Sequence, residues 1–427
     1  MGTAGPVSTS GESVLLIVII QLIVIIAVSR LFGALFRRLG QPQVCGEVAA
    51  GLILGPSLFG GVFPDLFHRV FDPSVNQTFN VMSQIGLVLL MFLIGLEFDF
   101  SHLKDNRRLA VWVSTAGVAA PFGLGFLLGW EMHSAMSLPG SWLNFALFMA
   151  TAMSITAIPT LGRIMIELNI HRTRLGSVTI SAAAVNDATG WVILALVSGI
   201  ARSNFEPQQF VVMIAATLGF TALTMYVVRP LLIGALRETL ARNGGELSLG
   251  AFAALLILIL LAAAATNLIG IFSIFGPFIL GAVLHDQLDL VAAVRRRLLD
   301  FVTVFFLPIF FTYTGLRTEA GSMSGSSDWL FCGLILLAAI VGKVGGCMFA
   351  ARWSGLAWRE SSLIGIMMNT RGLMELIVIN MGYELGIIPK SVFFMLVLMA
   401  VLTTYMTAPL MRWMVRGSEI ESDFRRR

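Results

Sequence analysis

Charged residues are scarce in this sequence. Lys, Arg, Asp and Glu make up 12% of the 427 residues, whereas hydrophobic residues make up 57%. A soluble protein has about twice that charged fraction, so the composition excludes a soluble globular chain and indicates a protein of the lipid bilayer. The basic residues are spread thinly over short loops, and the net charge of +4 therefore does not indicate a nucleic-acid partner.

The sequence also lacks the motifs of common enzyme classes. It contains no phosphate-binding P-loop, no GxSxG, no HExxH and no paired carboxylates at catalytic spacing. Its three cysteines, Cys45, Cys332 and Cys347, fall within apolar runs and do not have the spacing of metal ligands. We therefore expect no enzymatic activity and no cofactor.

No Pro- or Ser-rich linker and no long polar segment separates soluble domains. We therefore predict a single membrane domain over residues 1–427. Apolar runs long enough to cross a hydrocarbon core of about 30 Å predict an all-α polytopic protein with about thirteen transmembrane helices. The predicted segments are 13–38, 42–60, 81–98, 109–131, 141–168, 173–201, 208–233, 246–266, 270–285, 298–316, 328–353, 361–383 and 390–416.

The distribution of basic residues predicts the orientation of these segments. If the N-terminus is outside, only Arg69, Arg202, Arg317 and Lys390 lie in outer loops, and the other loop arginines and lysines collect on the inner side. Because basic loops stay in the cytoplasm, we predict an outside N-terminus and a cytoplasmic C-terminus. Two basic residues, Lys343 and Arg371, are left near the middle of a segment, and such positions are costly.

Two pairs of segments in the chain resemble each other. Residues 151–170 and 367–387 each carry a polar break, an apolar stretch and then Glu-Leu-x-Ile, and residues 46–55 resemble 275–284. The pairs lie seven predicted segments apart, so the second copy crosses the membrane in the opposite direction. Inverted repeats with interrupted helices are typical of secondary transporters. We predict a first helix at 13–38, repeat one at about 42–201, linking helices at about 208–266, repeat two at about 270–416 and a short cytoplasmic tail at 417–427.

The matching segments have polar interruptions at half depth. In the fifth segment these are Ser154, Thr156, Pro159 and Thr160, and in the twelfth they are Asn369, Thr370, Arg371 and Gly372. Proline removes a backbone donor, so we expect the helices to open and to free their carbonyl groups. The alternative is an ordinary kink, since Gly and Pro are common in membrane helices.

Asp187 lies near the middle of the sixth segment, after Asn186 and a run of small residues. A charge at that depth costs at least about 2.5–3.5 kcal/mol on insertion scales, so it needs a cavity or a partner. Carboxylate, amide and hydroxyl oxygens are the ligands of a hard cation, and the proton affinity of a carboxylate depends on desolvation and nearby charge. Asp187 is therefore predicted to bind Na⁺ or K⁺ in competition with H⁺. The alternative is a structural counter-ion to Lys343 or Arg371.

Lys343 is the second candidate for a functional charge, because it lies too deep for its side chain to reach an interface and is surrounded by glycines. Glu375, one turn after Arg371, either pairs with that residue or offsets charge at the half-helix ends. We expect Lys343, Arg371 and Glu375 to compensate or couple charge at the site.

Several motifs resemble the monovalent cation/proton antiporter-2 family, within the sodium/proton exchanger superfamily, in order along nearly the whole chain. Examples are LLMFLIGLEFD (89–99), AAAVNDATGWVILAL (182–196) and GIMMNTRGLMELIVINMGYELGI (365–387). The resemblance implies a thirteen-helix homodimer with a dimerisation domain and a six-helix core, in which two broken helices cross and the core moves like an elevator. It assigns the essential carboxylate to Asp187 and the lysine before the second break to Lys343.

Asn186 departs from one pattern of the family. Many electrogenic relatives carry two adjacent aspartates, whereas this chain has Asn-Asp, which the resemblance associates with electroneutral exchange. A titrating Lys343 would restore a second proton.

From these observations we expect a Na⁺(K⁺)/H⁺ antiporter of a prokaryotic cytoplasmic membrane. Asp187 binds H⁺ or cation in turn, and Asn186, Ser154, Thr156 and Thr370 line the site. Two other functions are consistent with the chain: a Na⁺-coupled symporter or organic-anion carrier of the same fold, in which Asp187 binds only Na⁺, and an ion channel. The sequence has no short repeated filter segment and no four-fold repeat, which argues against the channel.

Overall fold

The computed structural model describes residues 11–97, 107–167, 170, 173–202 and 207–415. The predicted cytoplasmic tail at 417–427 lies outside the described residues. The described part of the chain is built from α-helices connected by short turns. They are α1 (Gly11–Arg38), α2 (Gln43–Ile53), α3 (Phe59–Val62), α4 (Pro64–Val70), α5 (Asn76–Leu96), α6 (Arg107–Ala135), α7 (Trp142–Ser154), α8 (Ile158–Glu167), α9 (Arg174–Arg202), α10 (Pro207–Leu223), α11 (Arg229–Arg242), α12 (Leu249–Ile269), α13 (Phe275–Leu284), α14 (Leu288–Phe301), α15 (Leu307–Arg317), α16 (Ser326–Ile340), α17 (Gly346–Trp353), α18 (Trp358–Met368), α19 (Leu373–Glu384) and α20 (Lys390–Val415).

Within the described ranges, three π-helical turns join consecutive helices into longer rods: Thr224–Val228, Val302–Phe306 and Val341–Gly345. The first two end two residues before a proline, Pro230 and Pro308. A proline ring crowds the carbonyl group four residues earlier and donates no hydrogen bond, so a wider turn relieves the crowding. The third π turn contains Lys343 and no proline follows it.

Nine helical segments of the described residues are long and apolar enough to cross a membrane, and the bent pair α18 and α19 makes a tenth. The predicted segments 42–60, 141–168 and 270–285 coincide with the shorter apolar helices α2, α7 and α13, of 11, 13 and 10 residues. A helix of 11 residues is about 16 Å long and does not span the hydrocarbon core by itself. The all-α polytopic class is confirmed, and the number thirteen stays a prediction.

The described residues 11–87 and 300–319 form one compact unit of the chain. Its core is a cluster around Ile25, Leu54, Phe79 and Ile309. Within it, α2 packs on α15 without side chains between them: a Cβ atom on Gly51 would lie 2.3 Å from the carbonyl oxygen of Phe311. Only glycine allows two helix backbones to approach so closely.

The described residues within 88–299 and 320–415 form the second unit. One of its cores is a cluster that includes Val113 of α6, Ile164 of α8, Val178 of α9 and Leu363 of α18. In this unit α13 packs on the second half of α5, and a Cβ atom on Gly281 would lie 2.3 Å from the carbonyl oxygen of Phe92. Thus α13 of repeat two packs on a helix of repeat one, just as α2 of repeat one packs on a helix of repeat two.

Candidate functional site

Two helices of the second unit are interrupted in the middle. Helix α7 ends at Ser154, the chain is extended at Ile155 (φ −76°, ψ 146°), and α8 begins at Ile158. Helix α18 ends at Met368, and α19 begins at Leu373 after a bend of 46°. The sequence predicted both interruptions, and the structure confirms their positions.

The two interruptions contact each other. The backbone N–H of Ala157 donates to the carbonyl oxygen of Thr370 at 3.1 Å, and Thr156 Oγ1 donates to the carbonyl oxygen of Met368 at 3.1 Å. Gly372 has φ 138° and ψ −130°, and a Cβ atom on it would lie 2.8 Å from Thr160 Oγ1. We call residues 155–157 and 369–372 the crossing; it joins one broken helix to the other.

The C-terminal end of α7 is satisfied by side chains. The last four carbonyl groups of a helix have no donor within it and carry partial negative charge. All four in α7 are hydrogen-bonded. Ser154 Oγ donates to Thr151 O at 2.9 Å, Arg371 Nη1 to Ala152 O at 3.1 Å, Arg371 Nη2 to Met153 O at 2.6 Å, and Lys343 Nζ to Ser154 O.

Arg371 also forms a buried ion pair one turn along its own segment. Its Nη1 lies 2.8 Å from both carboxylate oxygens of Glu375, and the two side chains are 0% and 1% exposed. Arg371 thus connects the end of α7 to the first turn of α19, and Glu375 balances its charge. Of the two alternatives that the sequence left open for Glu375, the structure shows the pair with Arg371, and the offset of charge at the half-helix ends stays a prediction.

Lys343 lies in the π turn of residues 341–345 and is fully buried. Its ammonium group donates to three oxygens: Gly117 O at 2.8 Å, Ser154 O, and Asn186 Oδ1 at 3.4 Å. An ammonium group has three N–H donors and no acceptor. The three oxygen partners match in number the three donors of the ammonium form of Lys343.

Asp187 on α9 is 2% exposed, and neither of its carboxylate oxygens has a hydrogen-bond partner among the described residues. Helix α9 faces the crossing, since a Cβ atom on Gly190 would lie 3.1 Å from Ile155 Cγ1. In the described part of the chain the neighbouring cations are occupied elsewhere: Arg371 by Glu375 and carbonyl groups, Lys343 by three oxygens. Among the described residues, Asp187 is thus a buried carboxylate that forms neither a hydrogen bond nor an ion pair.

The other predicted site residues lie at the breaks of the two interrupted helices or next to Asp187 in the sequence. Ser154, Thr156 and Thr370 are buried at the ends of the broken helices, and each hydroxyl group donates to a backbone carbonyl, which leaves its oxygen lone pairs available to a ligand. Asn186 Oδ1 accepts from Lys343, and its Nδ2 has no partner among the described residues. Asn186 therefore contacts Lys343 directly, and its role as a cation ligand stays a prediction.

Sequence reasoning missed two groups at the site. One is the backbone carbonyl of Gly117, which carries no signal in its residue type. The other is Trp191, one turn beyond Asp187, whose ring packs against Phe275 and Phe278 at centroid distances of 5.7 and 5.5 Å. Its indole N–H faces the Asp187 carboxylate outside hydrogen-bond geometry and is otherwise without a partner in the described residues. Its i+4 spacing from Asp187, away from any predicted segment end, was the available signal.

The donor set of the site is one carboxylate with neutral oxygens. Within the described ranges no three His, Cys, Asp or Glu side chains cluster as metal ligands. A resident divalent metal usually takes several charged or imidazole ligands. One carboxylate with hydroxyl and carbonyl oxygens is suited instead to a monovalent cation that binds and leaves.

An inverted repeat with two joined helix breaks beside a buried carboxylate is the architecture of a secondary transporter. The model of the transmembrane sodium/hydrogen exchanger family matches residues 23–416, and the chain belongs to that family. The family is one of transporters and not a class of enzymes.

Named relatives agree with this membership. The chain is 39% identical over 402 residues to the Na⁺/H⁺ antiporter NhaS4 of Synechocystis, covering 93% of this chain and 96% of that protein. It is 30% identical over 417 residues to K⁺/H⁺ antiporter 1 of Saccharomyces cerevisiae, where it spans 47% of the yeast protein. The solved structure of the sodium proton antiporter MjNhaP1 from Methanocaldococcus jannaschii superposes with a TM-score of 0.61 over 93% of this chain and 99% of that one, at 16% identity. That structural likeness shows the fold.

Proposed function

We propose that this protein exchanges a monovalent cation, Na⁺ or K⁺, for H⁺, and that Asp187 binds the two ions in turn. The relatives named above are described as Na⁺/H⁺ and K⁺/H⁺ antiporters, and a relative 26% identical over 393 residues is described as the Na⁺/H⁺-K⁺ antiporter GerN of Bacillus cereus. The names of these relatives include both Na⁺ and K⁺, so both cations are proposed as substrates.

The observation that carries the proposal is the unpartnered carboxylate of Asp187. A buried ionised carboxylate without a partner is costly. Either a proton or a desolvated cation removes that cost, and the same oxygens cannot hold both. Mutually exclusive occupancy of one site that faces each side of the membrane in turn is sufficient for exchange. The alternative in which Asp187 is a structural counter-ion is not favoured, because Lys343 and Arg371 have other partners.

The proposed cation ligands are the Asp187 carboxylate and neutral oxygens at the crossing. Ser154, Thr156 and Thr370 supply hydroxyl oxygens, and the opened backbone supplies carbonyl groups. Asn186 holds Lys343 beside the carboxylate and contributes no second titratable group. Lys343, Arg371 and Glu375 compensate the charge of the helix ends.

We further infer an exchange of one proton for one cation. The three oxygen partners of Lys343 support a lysine that keeps its charge throughout the cycle, so Asp187 is left as the group that releases its proton. The transport is then electroneutral.

The remaining elements of the proposal concern the whole protein in its membrane. We propose a homodimer in a prokaryotic cytoplasmic membrane, with an outside N-terminus, a cytoplasmic C-terminus, and the repeat boundaries predicted from the sequence. The crossing moves across the bilayer by an elevator-type displacement of the domain that carries it. The skewed distribution of basic residues supports the orientation, and the inverted repeat supports the repeat boundaries and the moving domain. The homodimer rests on the resemblance to the antiporter family.

The test uses proteoliposomes that contain a dye reporting internal pH. Addition of Na⁺ or K⁺ outside is expected to move protons in the wild type, and Asp187→Asn is expected to abolish this movement. Asp328→Asn is the matched control, because Asp328 accepts a hydrogen bond from the Ser324 amide at the start of α16 and an asparagine oxygen can still accept it. Exchange that survives in Asp187→Asn would refute the assignment. Proton movement that ignores both cations would favour the symporter, and flux of one ion without counter-flux would favour the channel.

A further inference from the structure

Helix α6 carries a proline in its interior, Pro121. A proline has no amide hydrogen, so the carbonyl group four residues earlier has no donor within the helix. In α6 that carbonyl group belongs to Gly117. An unsatisfied carbonyl at membrane depth is costly, and it needs a partner from another element.

The partner is Lys343, whose Nζ donates to Gly117 O at 2.8 Å across 226 positions of sequence. The other two acceptors of the ammonium group are Ser154 O, at the end of α7, and Asn186 Oδ1, beside Asp187. One of the three oxygens that hold Lys343 therefore belongs to the carbonyl group whose helical donor Pro121 removes.

Close backbone packing places the π turn of residues 341–345 against this part of α6. A Cβ atom on Gly342 would lie 2.9 Å from Pro121 Cα, and a Cβ atom on Gly346 would lie 2.7 Å from the carbonyl oxygen of Ala116. Side chains at 342 and 346 would separate the two helices. The two glycines thus allow the π turn to pack closely against α6, and the proline leaves the carbonyl group of Gly117 without its helical donor.

We propose that Pro121 is a positioning residue of the exchange site: by removing one amide donor from α6, it supplies the Gly117 carbonyl group that holds the Lys343 ammonium group between α7 and Asn186. The positioning of Lys343 stands on the hydrogen bonds above. Its consequence for transport rests on the proposed function.

The stability test is a double-mutant cycle between Pro121→Ala and Lys343→Met. Alanine restores an amide hydrogen that competes with Lys343 for Gly117 O. In the Lys343→Met background the same hydrogen satisfies a carbonyl group that has lost its donor. We expect Pro121→Ala to raise the melting temperature of the Lys343→Met protein in detergent and to leave unchanged or lower that of the wild type. Shifts of equal sign and size in both backgrounds, including equal failure to fold, would show that Pro121 only shapes the helix.

The transport test measures the apparent KM for Na⁺ or K⁺ in proteoliposomes. If the hydrogen bond from Lys343 to Gly117 O is weakened, the neighbouring Asn186 and Ser154 are disturbed. We therefore expect Pro121→Ala to raise KM about threefold to tenfold. The free energy that corresponds to this change does not exceed that of one hydrogen bond to a charged group. Gly342→Ala leaves the proline in place and is expected to act in the same direction, because it separates Lys343 from Gly117. Pro230→Ala is the matched control: it restores an amide in a lipid-facing span and is expected to leave KM unchanged.

Failure of the proposed exchange function and failure of the Pro121 positioning role give different results. A wild type without cation-dependent proton movement overturns the proposed function, while the melting-temperature cycle still decides the role of Pro121. A wild type that transports, with KM unchanged in both Pro121→Ala and Gly342→Ala, overturns the positioning role.

Discussion

Arg371 satisfies three groups with one guanidinium: two carbonyl oxygens of α7 and the carboxylate of Glu375. A buried ion pair alone is weak evidence for stability, because desolvation offsets the Coulomb attraction. Here the arginine also caps a helix end that ends within the protein. Its removal therefore leaves a buried carboxylate and two carbonyl groups without donors.

This arrangement predicts unequal effects of the two partners. Arg371→Met is expected to destabilise the protein by about 3–5 kcal/mol, the usual cost of breaking a buried pair. Glu375→Gln is expected to cost less, because Arg371 keeps both carbonyl partners and an amide oxygen. Thermal unfolding in detergent shows which variant is less stable, with loss of the monodisperse species as the signal. A larger loss in Glu375→Gln would mean that the ion pair matters more than the cap of α7.

Among the helices, the main feature is that the two interrupted helices are hydrogen-bonded to each other at their breaks. Asp187 and Lys343 were found from sequence because charged residues at mid-depth are rare, and the interruptions were found because their polar residues recur in two copies. The predicted segment 42–60 was too long, since α2 ends at Ile53. Gly55 and Pro56 follow, and a proline disfavours the helical conformation of the residue before it.

The crossing predicts a strict requirement for glycine at position 372. With φ 138° and ψ −130°, an alanine there is strained by about 1–3 kcal/mol, and its Cβ atom would press on Thr160 Oγ1. Gly372→Ala is expected to lower both the melting temperature and the rate of exchange. Gly333→Ala in α16 is the control, because a Cβ atom there meets nothing within 4 Å. Equal melting temperatures for the two variants would contradict the geometry of the crossing.

Other parts of the site had no sequence signal. The hydrogen bond between Lys343 and Gly117 depends on which backbone carbonyl group is free, and this in turn depends on a proline four residues away and on glycines in another helix. The π turn that contains Lys343 also has no motif. Such contacts join residues more than 200 positions apart, and periodicity within one segment does not reveal them.

For the molecule as a whole, the predicted repeats correspond to a matched pair of helix contacts. The sequence paired residues 46–55 with 275–284, and the structure shows the partner of each. Helix α2 packs on α15 at Gly51, and α13 packs on α5 at Gly281, each through a glycine against a carbonyl oxygen. In both contacts the short helix belongs to one predicted repeat and its packing partner belongs to the other. The similarity of the two sequence segments does not reveal these packing partners.

The charge state of Lys343 predicts how the protein responds to voltage. If Lys343 stays charged and Asp187 exchanges one proton for one cation, no net charge crosses the membrane. The rate of antiport in proteoliposomes is then expected to be unchanged when a potassium diffusion potential is varied with valinomycin, with Na⁺ as the exchanged cation. A rate that rises with the potential would instead make Lys343 a second proton carrier.

If a cation displaces a proton from Asp187, binding of the cation must release that proton to the solution. Purified protein in weakly buffered detergent solution is titrated with NaCl or KCl while a pH dye is followed, with choline chloride as the control salt. We expect release of about one proton per chain for the wild type and none for Asp187→Asn. Cation binding without release in the wild type, or release that persists in Asp187→Asn, would contradict it.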